Sequence, residues 1–145
     1  MTPEEFLTSE EEAQVIAAIK EAEKNTSGEI RVHLESKNKE KPSIQYVWEV
    51  FNLIGMTQTK AANGVLFYVD VHHHTFTVIG DKGINKVVPP DFWEAIIKTV
   101  TKRFKQGQYA QGLIDGILMV GDQLKTYFPY QPDDLNELPD EISKH

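Results

Sequence analysis

Residues 64–80 read GVLFYVDVHHHTFTVIG, two β-branched and aromatic runs on either side of three consecutive histidines. The first run is nearly continuous in apolar residues, the pattern of a strand buried on both faces. The interval between the runs is too short for a crossover, so they form an antiparallel hairpin with His72, His73 and His74 at its tip. Counting outward from a tight turn centred near His73 pairs Val65 with Asp81 and Gly64 with Lys82.

Working back from the hairpin, IQYVWEVFNLIG places Val47, Val50, Phe51 and Ile54 at helical spacing, with Gly55 as its stop. Before that, GEIRVHLES alternates Ile30, Val32 and Leu34 with Glu29, Arg31, His33 and Glu35. This period of two predicts a half-buried strand with His33 on its polar face and Glu29 and Glu35 solvated beside Arg31. Strand, helix, strand in that order imply a parallel crossover. Further upstream, Thr8 and Ser9 followed by Glu11 and Glu12 read as a capping box, with Phe6 or Leu7 as staple. Val15, Ile16, Ile19 and Ala22 then form a helical stripe.

Downstream, Pro90–Phe104 carries Phe92, Trp93, Ile96, Ile97, Val100 and Phe104 on one broad apolar face. Tyr109–Tyr127 repeats Leu113, Ile117, Val120 and Leu124, with Gly112, Gly116 and Gly121 interspersed. Each interior glycine costs about 1 kcal/mol against alanine, so the three predict close helix-on-sheet packing. The expected architecture is α/β: a single compact domain over residues 1–128, with a mixed β-sheet built from a parallel crossover and an antiparallel hairpin, covered by about four helices. Residues 129–145 hold Asp133, Asp134, Glu137, Asp140 and Glu141 against Lys144, with three prolines, and predict a poorly ordered acidic tail. Leu135, Leu138 and Ile142 leave room for it to dock.

The 145 residues carry 15 basic and 22 acidic side chains, a formal net charge of −7. That balance argues against nucleic acid and against an acidic membrane surface as partners. The absence of cysteine excludes disulfides, thiolate nucleophiles and Cys-ligated zinc. An acidic N-terminus and the lack of 18 uninterrupted apolar residues lead us to expect a cytoplasmic protein without membrane insertion.

The order helix, strand, helix, "ANGVLFYV", hairpin, "VIGDKGI", aromatic helix and "FKQGQYAQGLIDGI" resembles the TPM domain family of thylakoid-lumen, photosystem-repair and receptor-accessory proteins, from about Leu7 to Tyr127. The resemblance implies a mixed sheet covered by helices. For function it implies either a weak, metal-dependent acid phosphatase or an accessory role in membrane-protein assembly or calcium binding. The chain differs in having Gly80-Asp81-Lys82-Gly83-Ile84-Asn85 where the family usually has a Gly-Tyr-Gly-Leu-Glu type of loop, and histidines where relatives place acidic and basic residues at the hairpin tip.

Two candidate sites follow. At the tip, Asp70, His72 and His74 can share a face and offer ligands to Zn²⁺ or Ni²⁺, or form a plain solvated turn. At the open end, the loops 56–64 and 80–89 meet and gather Thr59, Lys60, Asn63, Gly64, Asp81, Lys82 and Asn85. Lysines and backbone N–H groups there suit an anion such as phosphate, while Asp81 with Asp91 suits Ca²⁺ or Mg²⁺. A purely structural turn accounts for the same glycines and aspartate. Paired carboxylates, a Gly-x-Ser-x-Gly elbow and a phosphate-binding glycine loop are missing. The leading expectation is therefore a non-enzymatic interaction or accessory module for an unidentified, membrane-associated protein partner, in membrane-protein assembly or quality control. A divalent-metal-dependent acid phosphatase is the alternative.

Overall fold

In a computed structural model of the protein, residues 1–37, 40–130 and 142–145 are described. They form α1 (Pro3–Phe6), α2 (Ser9–Glu23), β1 (Glu29–Glu35), α3 (Ile44–Leu53), β2 (Gly64–Asp70), β3 (Thr75–Gly80), α4 (Lys82–Asn85), α5 (Phe92–Lys105), α6 (Tyr109–Tyr127) and β4 (Ile142–Lys144). The sheet order is β3-β2-β1-β4. β1 runs parallel to both β2 and β4, and β3 is antiparallel to β2. The α/β architecture, the crossover through α3 and the hairpin are those expected.

Local chemistry starts and stops the elements. Thr8 Oγ1 accepts the Glu11 N–H at 3.1 Å, and Glu11 Oε1 accepts the Thr8 N–H at 2.9 Å, closing a reciprocal cap on α2. Ser43 caps α3 by accepting the Tyr46 N–H at 3.1 Å. Gly55, at φ +83°, turns the chain out of that helix.

Both faces of the sheet are covered. Ile30, Val32 and Leu34 of β1, with Val65, Phe67 and Val69 of β2, pack on α2, α5 and α6 in the main core. Leu66, Tyr68 and Ile79 on the opposite face meet Val47, Val50 and Phe51 of α3. Each such aliphatic or aromatic side chain fully removed from water contributes about 1.5–3 kcal/mol. The α6 glycines serve helix contacts as much as the sheet. Gly116 lies against Val100 of α5 as well as Phe67, Gly112 lies against Phe104, and a Cβ at Gly121 would stand 2.7 Å from Ala22 Cβ of α2.

Two expectations change. The hairpin register is one residue shorter, pairing Val65 with Gly80 and Asp70 with Thr75. The cause is Asp70, whose Oδ1 accepts the N–H groups of His72 at 3.0 Å and His73 at 3.1 Å, so that the turn closes between those two residues. The face of β1 read as solvated is buried: Glu29, His33 and Glu35 are 3%, 0% and 2% exposed. Of the stretch 129–145, expected to be a poorly ordered tail, residues 131–141 lie outside the described ones, and the described residues on either side of them make contacts. Pro129 bridges to Thr26, the Tyr130 N–H donates to the Asn25 carbonyl at 2.9 Å, and Ile142–Lys144 pairs with β1. Burial of His33 and Glu35 follows from this return, because β4 flanks them on the edge that their own neighbourhood leaves open.

Candidate functional site

The two loops expected to meet at the open end of the hairpin do meet, through backbone. The Asp81 N–H donates to the Gly64 carbonyl at 2.9 Å, and the Gly83 and Ile84 N–H groups to the Ala62 carbonyl at 2.7 and 3.2 Å. Gly83 is obligatory there, since a methyl group would overlap the carbonyl oxygens of Ala61 and Ala62. The side chains have structural employment. Asp81 Oδ1 accepts the Lys82 N–H at 2.8 Å, Thr59 Oγ1 accepts the Asn63 N–H at 3.2 Å, and Asn85 Oδ1 accepts the Trp93 indole N–H at 2.9 Å. Asn63 is 1% exposed and donates to Ser27 Oγ at 3.2 Å. Lys60, Lys82 and Asp91 are exposed.

At the tip, Asp70 pairs with the middle histidine instead of its two neighbours: Asp70 Oδ2 lies 2.6 Å from His73 Nδ1. The His72 ring stands edge-on to His73 at 4.8 Å, while His74, at φ +54°, lays its ring 5.3 Å from that of Tyr109. Strand alternation fails once the chain leaves β2, which is why Asp70, His72 and His74 do not converge.

A third group of polar side chains was not recognised from sequence. It lies on the α3 side of the sheet, where β1, β2 and β4 run together. His33 Nδ1 is 2.7 Å from Ser143 Oγ, and His33 Nε2 is 3.4 Å from Glu35 Oε1. Tyr68 donates its hydroxyl to Glu35 Oε2 at 2.5 Å. The His145 ring is edge-on to His33, with centroids 4.9 Å apart. Among the described residues, His33, Glu35 and His145 form the group of three metal-capable side chains, with ligand atoms all within 4.8 Å of one another.

Electrostatics in this group are sharply shifted. Burial raises the Glu35 carboxyl, but hydrogen bonds with His33, Tyr68 and Tyr46 outweigh it and hold it at about 2, against an ordinary 4.5. Burial first, then the Glu35 carboxylate, push the Tyr46 phenol up to about 12. The one signal available in the sequence was the His33-x-Glu35 spacing on a strand, which puts both side chains on one face. Nothing local announces that residues more than a hundred positions later complete the group.

The sequence profile of the TPM domain matches residues 1–123. The chain belongs to the TPM domain family. Of solved structures, this TPM domain is similar to the BA42 protein from the psychrophilic bacterium Bizionia argentinensis, with 51% identity and a TM-score of 0.89 over 99% of this chain and 98% of that one. It shares its fold with an N-terminal domain of a P. gingivalis protein (20% identity, TM-score 0.72, 89% of this chain and 84% of that one). The N-terminal domain of cg2496 from Corynebacterium glutamicum has the same fold at 12% identity, with a TM-score of 0.63 over 96% and 81%. No curated protein matches the TPM domain described here. None of its described helices is long and apolar enough to cross a membrane.

Proposed function

We infer that this TPM domain is a non-enzymatic interaction module that docks a cytoplasmic or membrane-associated protein partner in membrane-protein assembly or quality control. One observation carries the reading. Helix α3 seats Val47, Val50 and Phe51 on the sheet, yet leaves Ile44, Trp48 and Leu53 exposed by 55%, 36% and 78%. Ile44 and Trp48 are one turn apart on one face, and Trp48 is braced by Phe51 at 5.0 Å. A braced, partly exposed tryptophan beside other apolar side chains is the composition of a protein-binding anchor. The net charge of −7 favours a basic partner.

The test compares wild type with Trp48→Ser and Ile44→Ser, both checked for folding by circular dichroism, as baits in extract of the native cell. We expect one partner retained by wild type and lost by both variants. Retention that ignores both substitutions, together with turnover of a small molecule at ordinary enzymatic rates, sinks the reading.

The acid-phosphatase reading rests on a different observation, an open cleft of about 570 Å³ beside the hairpin tip, lined by Lys41, Lys105, His74, Thr101, Phe104 and Tyr109. Two lysines and an imidazole over aromatic rings suit a phosphomonoester. The carboxylates proposed to hold Ca²⁺ or Mg²⁺, Asp81 and Asp91, belong to the opposite end of β3, about 20 Å of strand away. That separation ranks the reading second. Hydrolysis of para-nitrophenyl phosphate that needs Ca²⁺ or Mg²⁺ and collapses in Asp81→Ala supports it; identical rates with and without either change end it.

A further inference from the structure

We propose that His33 Nε2, Glu35 Oε1 and a ring nitrogen of His145 form a three-ligand site for Zn²⁺ or a similar borderline-soft divalent ion, which pins β4 to β1. Strand geometry assembles it. His33 and Glu35 are two residues apart and share a face of β1, and β4 runs parallel alongside with His33 opposite Ser143. The ladder continues through the His145 N–H to the Leu34 carbonyl at 2.9 Å and the Ser36 N–H to the His145 carbonyl at 3.1 Å, which sets His145 beside Glu35.

The spacing fits ligands better than it fits a hydrogen bond. His33 Nε2 and Glu35 Oε1 are 3.4 Å apart, whereas a charge-assisted N–H···O contact closes to about 2.7–2.9 Å. Two ligands at about 2.0–2.1 Å on one tetrahedral ion are separated by roughly 3.3–3.4 Å.

The supporting contacts already orient the ligand atoms. Ser143 Oγ sits 2.7 Å from His33 Nδ1 and donates to the Val32 carbonyl at 3.4 Å. When an ion binds, the serine oxygen, with its proton on Val32, accepts from Nδ1–H, and Nε2 turns its lone pair to the ion in place of its hydrogen bond with Glu35. Tyr68 donates to Glu35 Oε2, and Oε1 is the oxygen that faces His33 Nε2 and serves as the ligand atom. His33 and Glu35 are buried while His145 is exposed, giving the ion a way in and water a fourth position. Two imidazoles and one carboxylate, without sulfur, select Zn²⁺ over Ca²⁺ and Mg²⁺, which prefer all-oxygen shells.

The test titrates Zn²⁺ into the metal-free full chain by calorimetry, with histidine ring signals followed by NMR. Variants are His145→Ala, whose side chain is exposed and outside the core, and the double variant His72→Ala/His74→Ala. We expect one Zn²⁺ per chain, joint shifts of His33 and His145, at least about tenfold weaker binding in His145→Ala, and unchanged affinity in the double variant. Co²⁺ in place of Zn²⁺ then gives the absorption of a tetrahedral ion. Affinity unaltered by His145→Ala, loss of binding in the double variant, or no heat at 100-fold excess Zn²⁺ each overturn the proposal.

Discussion

Tyr68 donates its hydroxyl to Glu35 Oε2 at 2.5 Å across the parallel strands β1 and β2, joining side chains 33 positions apart in the chain. Replacing the tyrosine by phenylalanine keeps the ring packing and removes the donor. We expect Tyr68→Phe to lose about 1–3 kcal/mol in urea unfolding at neutral pH, and the Glu35 carboxyl to titrate higher than its present value of about 2 in a carbon-detected NMR titration. An unmoved Glu35 titration contradicts this account.

Glu35 also sets the acid limb of stability. Its folded pKa is about 2 against an unfolded 4.5, so its contribution is present above pH 4.5 and is lost as the pH falls from there towards 2. The amount is on the order of 3 kcal/mol. Denaturant unfolding of metal-free protein across that window is expected to show the loss in wild type and a flatter profile in Glu35→Gln. Parallel profiles refute the assignment.

At the alkaline end the sign reverses. Tyr46 is raised from 10.0 to about 12, so the folded state keeps the phenol protonated, and the stability this brings is full below pH 10 and lost as the pH rises towards 12. Ultraviolet titration at about 295 nm, the phenolate band, is expected to lose one late tyrosine step in Tyr46→Phe. A tyrosinate step of unchanged shape in the variant assigns the late group elsewhere.

The junction of the two open-end loops supplies a pair of opposed substitutions. Gly83→Ala drives a methyl group into the Ala61 and Ala62 carbonyls and is expected to cost at least about 2 kcal/mol. Ala62 itself holds φ +50°, and Ala62→Gly is expected to gain about 1 kcal/mol by relieving that conformation. Thermal melts of the two variants on either side of wild type are the check; equal melting temperatures would deny the close approach.

Much of the fold was readable residue by residue. The Thr8–Glu11 cap, Gly55 after α3 and the 19-residue span of α6 at Tyr109–Tyr127 follow from local pattern alone. The hairpin was readable but its register was not, because one carboxylate, Asp70, decides where the turn closes. Of the candidate sites, the open-end loops were placed together correctly. Their side chains are taken up by capping and loop bonds, which spacing does not reveal.

By itself, the sequence determined α2, β1, α3, β2, β3, α5 and α6 and their order, because helix and strand periods, caps and turn residues act over a few positions. It also determined that β2 is buried on both faces, since no polar residue interrupts Val65–Val69. Only the tertiary structure decided the fate of His33 and Glu35. Their alternation with apolar neighbours is that of any half-exposed strand, and it became a buried polar group through β4, returning from residues 142–144 to the free edge of β1, and through Tyr46 and Tyr68 closing over it. A pairing across more than a hundred residues leaves no periodic trace in either segment, because the strand partner, not the strand, sets which face meets water.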